Sequence, residues 1–380
     1  MNFVLFLGAG FSVPYGLPVM NSFMRHAQVS TRLTDDQKEQ LGQLLLRARA
    51  ANSFLTSSPT NLEHLLSFAV MADRLNLPTG KNLNREITDI LARIFSEGMP
   101  FENFSVPHKE FEKFISHEPR VTLQDDRWRD HRLTVITTNY DINADTALRK
   151  SGFQLELGFK PEVSNEEQFG KKNLRLFKNL YEPVPGYGPA ARLLKLHGSV
   201  NWFPAKSKKR NTFLVDGRVV NYRTGLDSDR HPKEENIPLI HHSDYWSLAD
   251  NRPYVVAPSF LKPRFNTPLN SVWQQAASEL MEAHTLVFVG YSFPETDNEM
   301  LYLLATSLSQ NPNLQDIKII DPEAESICGR LCSNQGKIGT HFRDLLKPVK
   351  CESWEDVEDV FEVHETEKPS APRLRRRRVR

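Results

Sequence analysis

The sequence predicts an α/β fold on a mostly parallel sheet, with a helical insertion after the first strand. Three observations carry this expectation. Short, mostly apolar runs recur at Phe3–Leu7, Leu133–Ile136, Leu193–Leu196, Thr285–Val289 and Asp316–Ile320. Runs of that length suit strands covered on both faces. Stretches of helical periodicity lie between them, the alternation expected of a parallel sheet. Each run also ends in a small polar or glycine-bearing motif. In a parallel sheet such ends share one edge, and ligands bind beyond it.

The first strand, Phe3–Leu7, runs directly into Gly8-Ala9-Gly10-Phe11-Ser12. Glycines there allow a tight turn and close approach to a phosphate. Ser12 adds a hydroxyl donor. A helix starting just beyond would aim its free N–H groups at the same anion. A full dinucleotide fingerprint asks for a third glycine where Val13 stands. Val13–Pro18 reads as a loop.

Residues 20 to about 130 form the expected insertion. Asp35-Asp36-Gln37 opens an amphipathic pattern through Leu41, Leu44, Leu45 and Leu46. Thr60 or Asn61 can cap a second helix. Ile87, Ile90, Leu91 and Ile94 mark a third. Glu63 and His64 read as a surface pair. After the 133–136 strand comes Thr137-Thr138-Asn139-Tyr140-Asp141. Residues 151–190 are irregular, suggesting a lid, and Lys206–Arg210 is a short basic run. Leu193–Leu196 precedes His197-Gly198-Ser199. Tyr254–Pro258 is expected to return to the sheet. A helix over Asn270–Ala283 leads to the 285–289 strand and Gly290-Tyr291-Ser292-Phe293. Pro294–Asp297 then opens a helix through Leu304, with Asp297 as its cap.

Bulk composition, at 39% apolar and 25% charged residues, is that of a soluble globular protein. The net charge of +1 hides an asymmetry. Six arginines fall in the last ten residues, leaving about −5 on residues 1–370. Three cysteines argue against a disulfide scaffold and suit a reducing cytoplasm. No apolar run approaches membrane-spanning length, so no membrane is expected as a partner.

At the strand ends, Asn139 can orient a water or a sugar hydroxyl without adding charge. Asp141 can hold a carboxamide or an imidazole. His197 can accept a proton from a ribose hydroxyl or water, or be a satisfied buried histidine. Gly198 leaves room for substrate, and Ser199 is a phosphate or ribose contact or a turn hydroxyl. Gly290 and Ser292 form a second phosphate-sized turn. Asp321 can bind ribose hydroxyls or simply turn the chain before Pro322.

Gly8–Ser12, Thr137–Asp141, Lys195–Ser199 and Gly290–Asp297 occur in the order seen in sirtuins. In their longer forms they resemble the bacterial SIR2-like branch, which includes NAD-hydrolysing effectors of anti-phage defence. The resemblance spans about residues 3–322 and implies a Rossmann-like, sirtuin-like fold. It implies that Gly8, Ala9, Gly10 and Ser12 contact the pyrophosphate, with Gly290 and Ser292 at the phosphate–ribose side; Thr138 and Ser199, at the same strand ends, are counted with the NAD-binding residues. Asp321 lies near the adenosine ribose. Asn139 orients water and the nicotinamide ribose, Asp141 holds the carboxamide, and His197 is the general base. Val13 is then no defect, because the sirtuin-like turn does not need that glycine.

The chain departs from deacylating sirtuins. Thr138 replaces their Gln, and Gly16-Leu17-Pro18-Val19-Met20 stands for their Gly-Ile-Pro-Asp-Phe-Arg stretch. The cysteines 328, 332 and 351 form no Cys-x-x-Cys pair, so the four-cysteine zinc module is missing and no metal is expected. The implied reaction is hydrolysis of the nicotinamide–ribose bond through an oxocarbenium-like C1′, giving nicotinamide and ADP-ribose. NAD is the substrate. Such an activity needs gating, by a homo-oligomer or by a separately encoded sensor or HerA-like ATPase. The alternatives are an NAD-dependent protein deacylase and a non-enzymatic nucleotide-binding module.

One catalytic domain is expected over residues 1–350. An acidic helix follows over 351–367, with Trp354, Val357 and Phe361 on one face. The Arg-rich tail over 368–380 suits contact with nucleic acid phosphates or an acidic protein surface.

Overall fold

The computed structural model describes residues 2–31, 33–50, 62–77, 83–95, 132–150, 153–159, 162–163, 190–204, 213–215, 253–256, 269–295, 297–333 and 344–350. The expected lid, the 206–210 basic run, the acidic helix and the Arg-rich tail lie wholly or mostly outside these residues.

Seven strands form the main sheet, and every neighbouring pair in it is parallel. They are β1 (Asn2–Leu7), β2 (Arg132–Thr137), β3 (Gln154–Glu156), β5 (Ala190–Lys195), β10 (Thr285–Val289), β11 (Asp316–Asp321) and β12 (Leu346–Lys350). Their order is β12-β11-β10-β1-β2-β5-β3. The chain therefore fills one side of β1 with β2, β3 and β5, and then returns to β1 to build the other. The reversal falls between β1 and β10, which creates a crevice beyond the strand ends there. Burial of Val4–Leu7, Leu133–Thr137 and Leu286–Val289 confirms that the central strands are covered on both faces.

Four small strands lie outside this sheet, together with β9 (Tyr254–Val255). They are β4 (Glu162–Val163), β6 (Gly198–Ser199), β7 (Trp202–Pro204) and β8 (Phe213–Val215). The expected return of Tyr254 to the main sheet is corrected. β9 pairs antiparallel with β6, Gly198 opposite Val255.

Helices α1 (Phe23–Val29), α2 (Asp35–Ala50), α3 (Leu62–Arg74) and α4 (Leu83–Phe95) make up the described part of the insertion. They bury a core of their own, with Phe23, Leu44, Leu65, Leu66, Ile90 and Leu91 at its centre. Phe95 is the described side chain packed against both this cluster and the main core. Its ring lies 6.1 Å from Phe23 and 5.2 Å from Tyr140. The remaining helices are α5 (Asn143–Lys150), α6 (Leu269–Glu282), α7 (Asn298–Leu308) and α8 (Ala324–Ser333). Among the described residues, no helix is long and apolar enough to cross a membrane.

Candidate active site at the strand-order reversal

The sheet register sets the site. Leu7 stands level with Thr137 and Val289, Thr137 with Lys195, and Val289 with Ile320. The motifs that follow these residues therefore leave the sheet side by side. Gly8, Thr138, Leu196, Gly290 and Asp321 are the next residues in each strand or loop.

The glycines of the first and fourth motifs interlock. Gly8 N–H donates to Val289 O at 2.9 Å, Gly10 N–H to Gly290 O at 2.9 Å, and Gly290 N–H to Ile320 O at 3.0 Å. A Cβ on Gly8 would lie 2.4 Å from Gly290 O, and one on Gly10 would lie 2.8 Å from Gly290 Cα. These N–H groups are used within the protein. The glycines let the two turns touch, since a side chain at either position would meet the facing backbone. A short 3-10 helix, Ala9–Tyr15, follows instead of the expected loop.

The hydroxyl of Ser12 is likewise committed. It donates to Asp141 Oδ2 at 2.7 Å and accepts from Asn139 Nδ2 at 3.0 Å. Asn139 Nδ2 also donates to Gly8 O at 2.8 Å. Both hydrogens of that amide nitrogen are therefore placed, which leaves the carboxamide oxygen of Asn139 to accept from a water or sugar hydroxyl. Thr137 supports the loop by accepting from Asn139 N–H at 3.0 Å and donating to Leu7 O at 2.9 Å. Thr138 is half-buried beside it.

Asp141 is 3% exposed, and its second oxygen accepts from Asn143 N–H at 3.0 Å. Burial pushes its carboxyl above the ordinary value of 3.8. The Lys195 ammonium, the Ser12 hydroxyl and the Asn143 amide oppose that shift without reversing it, and Asp145 adds to it. With the folded pKa above the unfolded one, this group's contribution to stability is fully present below the unfolded pKa. It is lost as pH rises through the folded value. Asp141→Asn is therefore expected to gain stability relative to wild type as pH rises from about 4 toward neutrality. Urea unfolding at several pH values checks this, and a pH-independent difference would contradict it.

His197 is buried, with its ring centroid 6.2 Å from Tyr140 and 6.5 Å from Trp273. The Trp273 indole N–H donates to Leu196 O at 3.0 Å, and Val256 N–H donates to His197 O at 2.9 Å. Side chain and backbone are thus both held. Gly198 has φ +81°, and a Cβ there would lie 2.1 Å from Tyr254 O. The space it leaves is filled by β9, which corrects the expectation of room for substrate. Ser199 is fully buried, and its hydroxyl donates to Asn201 Oδ1 at 2.6 Å. Its hydroxyl thus bonds within the protein, the arrangement that a turn hydroxyl makes.

On the other flank, Ser292 is exposed and its carbonyl accepts from Arg330. Asp321 Oδ1 accepts from Glu323 N–H at 2.9 Å, a bond within the turn that leads into α8. Asp297 occupies the N-cap position of α7 without a side-chain cap bond. Its carboxylate accepts instead from Tyr291 OH at 3.1 Å. Glu63 on α3 is also buried, correcting its assignment to the surface. Burial raises the phenols of Tyr140 and Tyr291 well above their ordinary range, and the charges of Asp297 and Glu63 add to this.

Sequence reading missed Lys195. Its signal was a lysine inside an apolar run that ends a central strand, where a charge must find a buried partner.

A parallel sheet with polar loops and glycine turns gathered at its strand-order reversal defines a Rossmann-like α/β protein. The SIR2-like domain family model matches residues 133–336, and the chain belongs to that family. Membership assigns it an NAD-related function. Among solved structures, it is similar to a Sir2 homologue triple mutant in complex with 2′-O-acetyl ADP ribose. That match has 15% identity and a TM-score of 0.38, covering 94% of this chain and 88% of the other. It is also similar to Sir2Tm bound to a propionylated peptide, with 13% identity and a TM-score of 0.31, covering 93% and 89%. No curated protein matches the chain. No group of His, Cys, Asp and Glu that could hold a metal ion occurs among the described residues.

Proposed function

We propose that the chain hydrolyses NAD at the nicotinamide–ribose bond, releasing nicotinamide and ADP-ribose, and serves as an NAD-depleting antiviral effector. The observation that carries this reading is the lock among Gly8, Ser12, Asn139 and Asp141. It fixes a carboxamide oxygen beside a glycine turn at the reversal crevice, where a dinucleotide is held in this fold class. NAD supplies a leaving group that already carries positive charge, so cleavage needs no metal.

In this reading Asn139 holds the attacking water and the nicotinamide ribose, and Asp141 orients the carboxamide. His197 takes the proton that the water gives up as its oxygen bonds to C1′. The wall formed by Tyr140 and Trp273 keeps the imidazole in place. The Gly8–Ser12 and Gly290–Ser292 turns, with Thr138 and Asp321, line the phosphate and ribose side.

Protein deacylation uses the same bond cleavage. Hydrolysis is favoured because the sequence has three cysteines and no Cys-x-x-Cys pair for the zinc module of deacylating sirtuins. Activity is expected to depend on assembly or on a separately encoded partner. Incubation of purified protein with NAD, with and without an acetylated peptide, tests the reading. Equal amounts of nicotinamide and ADP-ribose, released without peptide, are the expected result. Fractions separated by size should differ in rate. Release only in the presence of peptide, with transfer of the acyl group, would overturn hydrolysis in favour of deacylation.

A further inference from the structure

Lys195 ends β5, two residues before His197, and its side chain has no solvent exposure. Its ammonium lies 3.0 Å from Asp145 Oδ2 on α5, and that carboxylate is equally buried. The same nitrogen donates to Ser199 Oγ at 2.7 Å and to the main-chain carbonyl of Asp141. Ser199 in turn reaches Asn201 Oδ1 and lies 3.1 Å from Tyr140 O. Val200 N–H donates to Tyr140 O at 3.0 Å.

These contacts join two loops that come from different strands. One follows β2 and carries Asn139 and Asp141; the other follows β5 and carries His197. The sheet aligns the strand ends, but it does not fix loops that have already left it. A buried ion pair is a costly way to fasten them. An apolar pair of similar volume commonly folds as well or better. Three donated hydrogen bonds to two loops and a helix are something that an apolar pair does not reproduce.

We propose that Lys195, neutralised by Asp145, is a positioning residue that sets the separation between the Asn139–Asp141 loop and His197. The proposal deepens the hydrolysis reading and rests on it for its effect on rate. Misplacing reacting groups by about 1 Å can cost on the order of 10²-fold in rate.

The test compares Lys195→Met with the double variant Lys195→Met/Asp145→Leu in the full chain. The single variant removes the cation from a buried carboxylate and is expected to melt roughly 10 °C lower. The double variant removes both charges and should recover most of that loss. It should nevertheless release nicotinamide about 100-fold more slowly at saturating NAD, with KM changed less than about threefold. Hydrogen exchange at residues 138–143 and 196–201 should rise together in the double variant, relative to the core strands.

A double variant that regains both stability and wild-type turnover, or whose two loops keep wild-type protection, would overturn the proposal. If the wild type releases no nicotinamide under any condition, the hydrolysis reading fails. The exchange measurement still decides whether Lys195 holds the two loops together.

Discussion

His197→Ala is expected to lower nicotinamide release by about 10²–10⁴-fold, the range over which a positioned general base contributes. The loss should appear in kcat with little change in KM, because the ring is assigned to the reacting water rather than to holding the dinucleotide. The imidazole is buried near the Tyr140 and Trp273 rings, so alanine leaves a cavity. His197→Asn retains more of the volume and should be equally slow. Added imidazole should restore part of the rate in the alanine variant if, as proposed, His197 is the general base. A His197→Asn enzyme within threefold of wild type would remove His197 from the mechanism.

Gly290→Ala is expected to be strongly destabilising. Its Cβ would sit 2.4 Å from Phe11 N, 2.5 Å from Gly10 C and 2.7 Å from Gly10 Cα, all of them backbone. No side chain can rotate away to relieve this. Overpacking costs about 1–3 kcal/mol, and the left-handed φ of +60° adds about 1–2 kcal/mol. Gly16→Ala is the matched control. It also has positive φ, at +82°, but a Cβ there meets nothing within 4 Å. Urea unfolding should therefore show Gly290→Ala to be worse by the overpacking amount. Equal losses at the two positions would mean that the turns do not interlock.

The central strands were legible because burial on both faces leaves an apolar run that no other short element needs. The edges were less so. β12 is Leu-Lys-Pro-Val-Lys, a charged strand with a proline that only an edge tolerates. β3 is three residues long. Neither shows an apolar run. Tyr254–Val255 reads as a strand, but local pattern does not specify a partner, and its pairing with Gly198–Ser199 is set by tertiary contact. The same limit applies within the site. The order of the motifs places Asn139, Asp141 and His197 at one edge. Which hydroxyls turn inward is decided by loop geometry. Ser12 reads as a hydroxyl donor and Ser199 as a ligand contact or a turn hydroxyl, and both hydroxyls bond to protein partners. Gly198 looks like an opening and is filled by a carbonyl.

Phe95 has a consequence for tolerance to sequence change. The insertion closes its own core, so replacements at Leu44, Leu66 or Ile90 are absorbed among neighbours that do not reach the crevice. Distant substitutions of that kind add independently. Phe95 is different, because its ring touches Phe23 on one side and Tyr140 on the other. Within the described helices, the inner core can therefore be repacked without moving the site, provided that position 95 still presents an aromatic ring to Tyr140 and position 63 keeps its buried carboxylate.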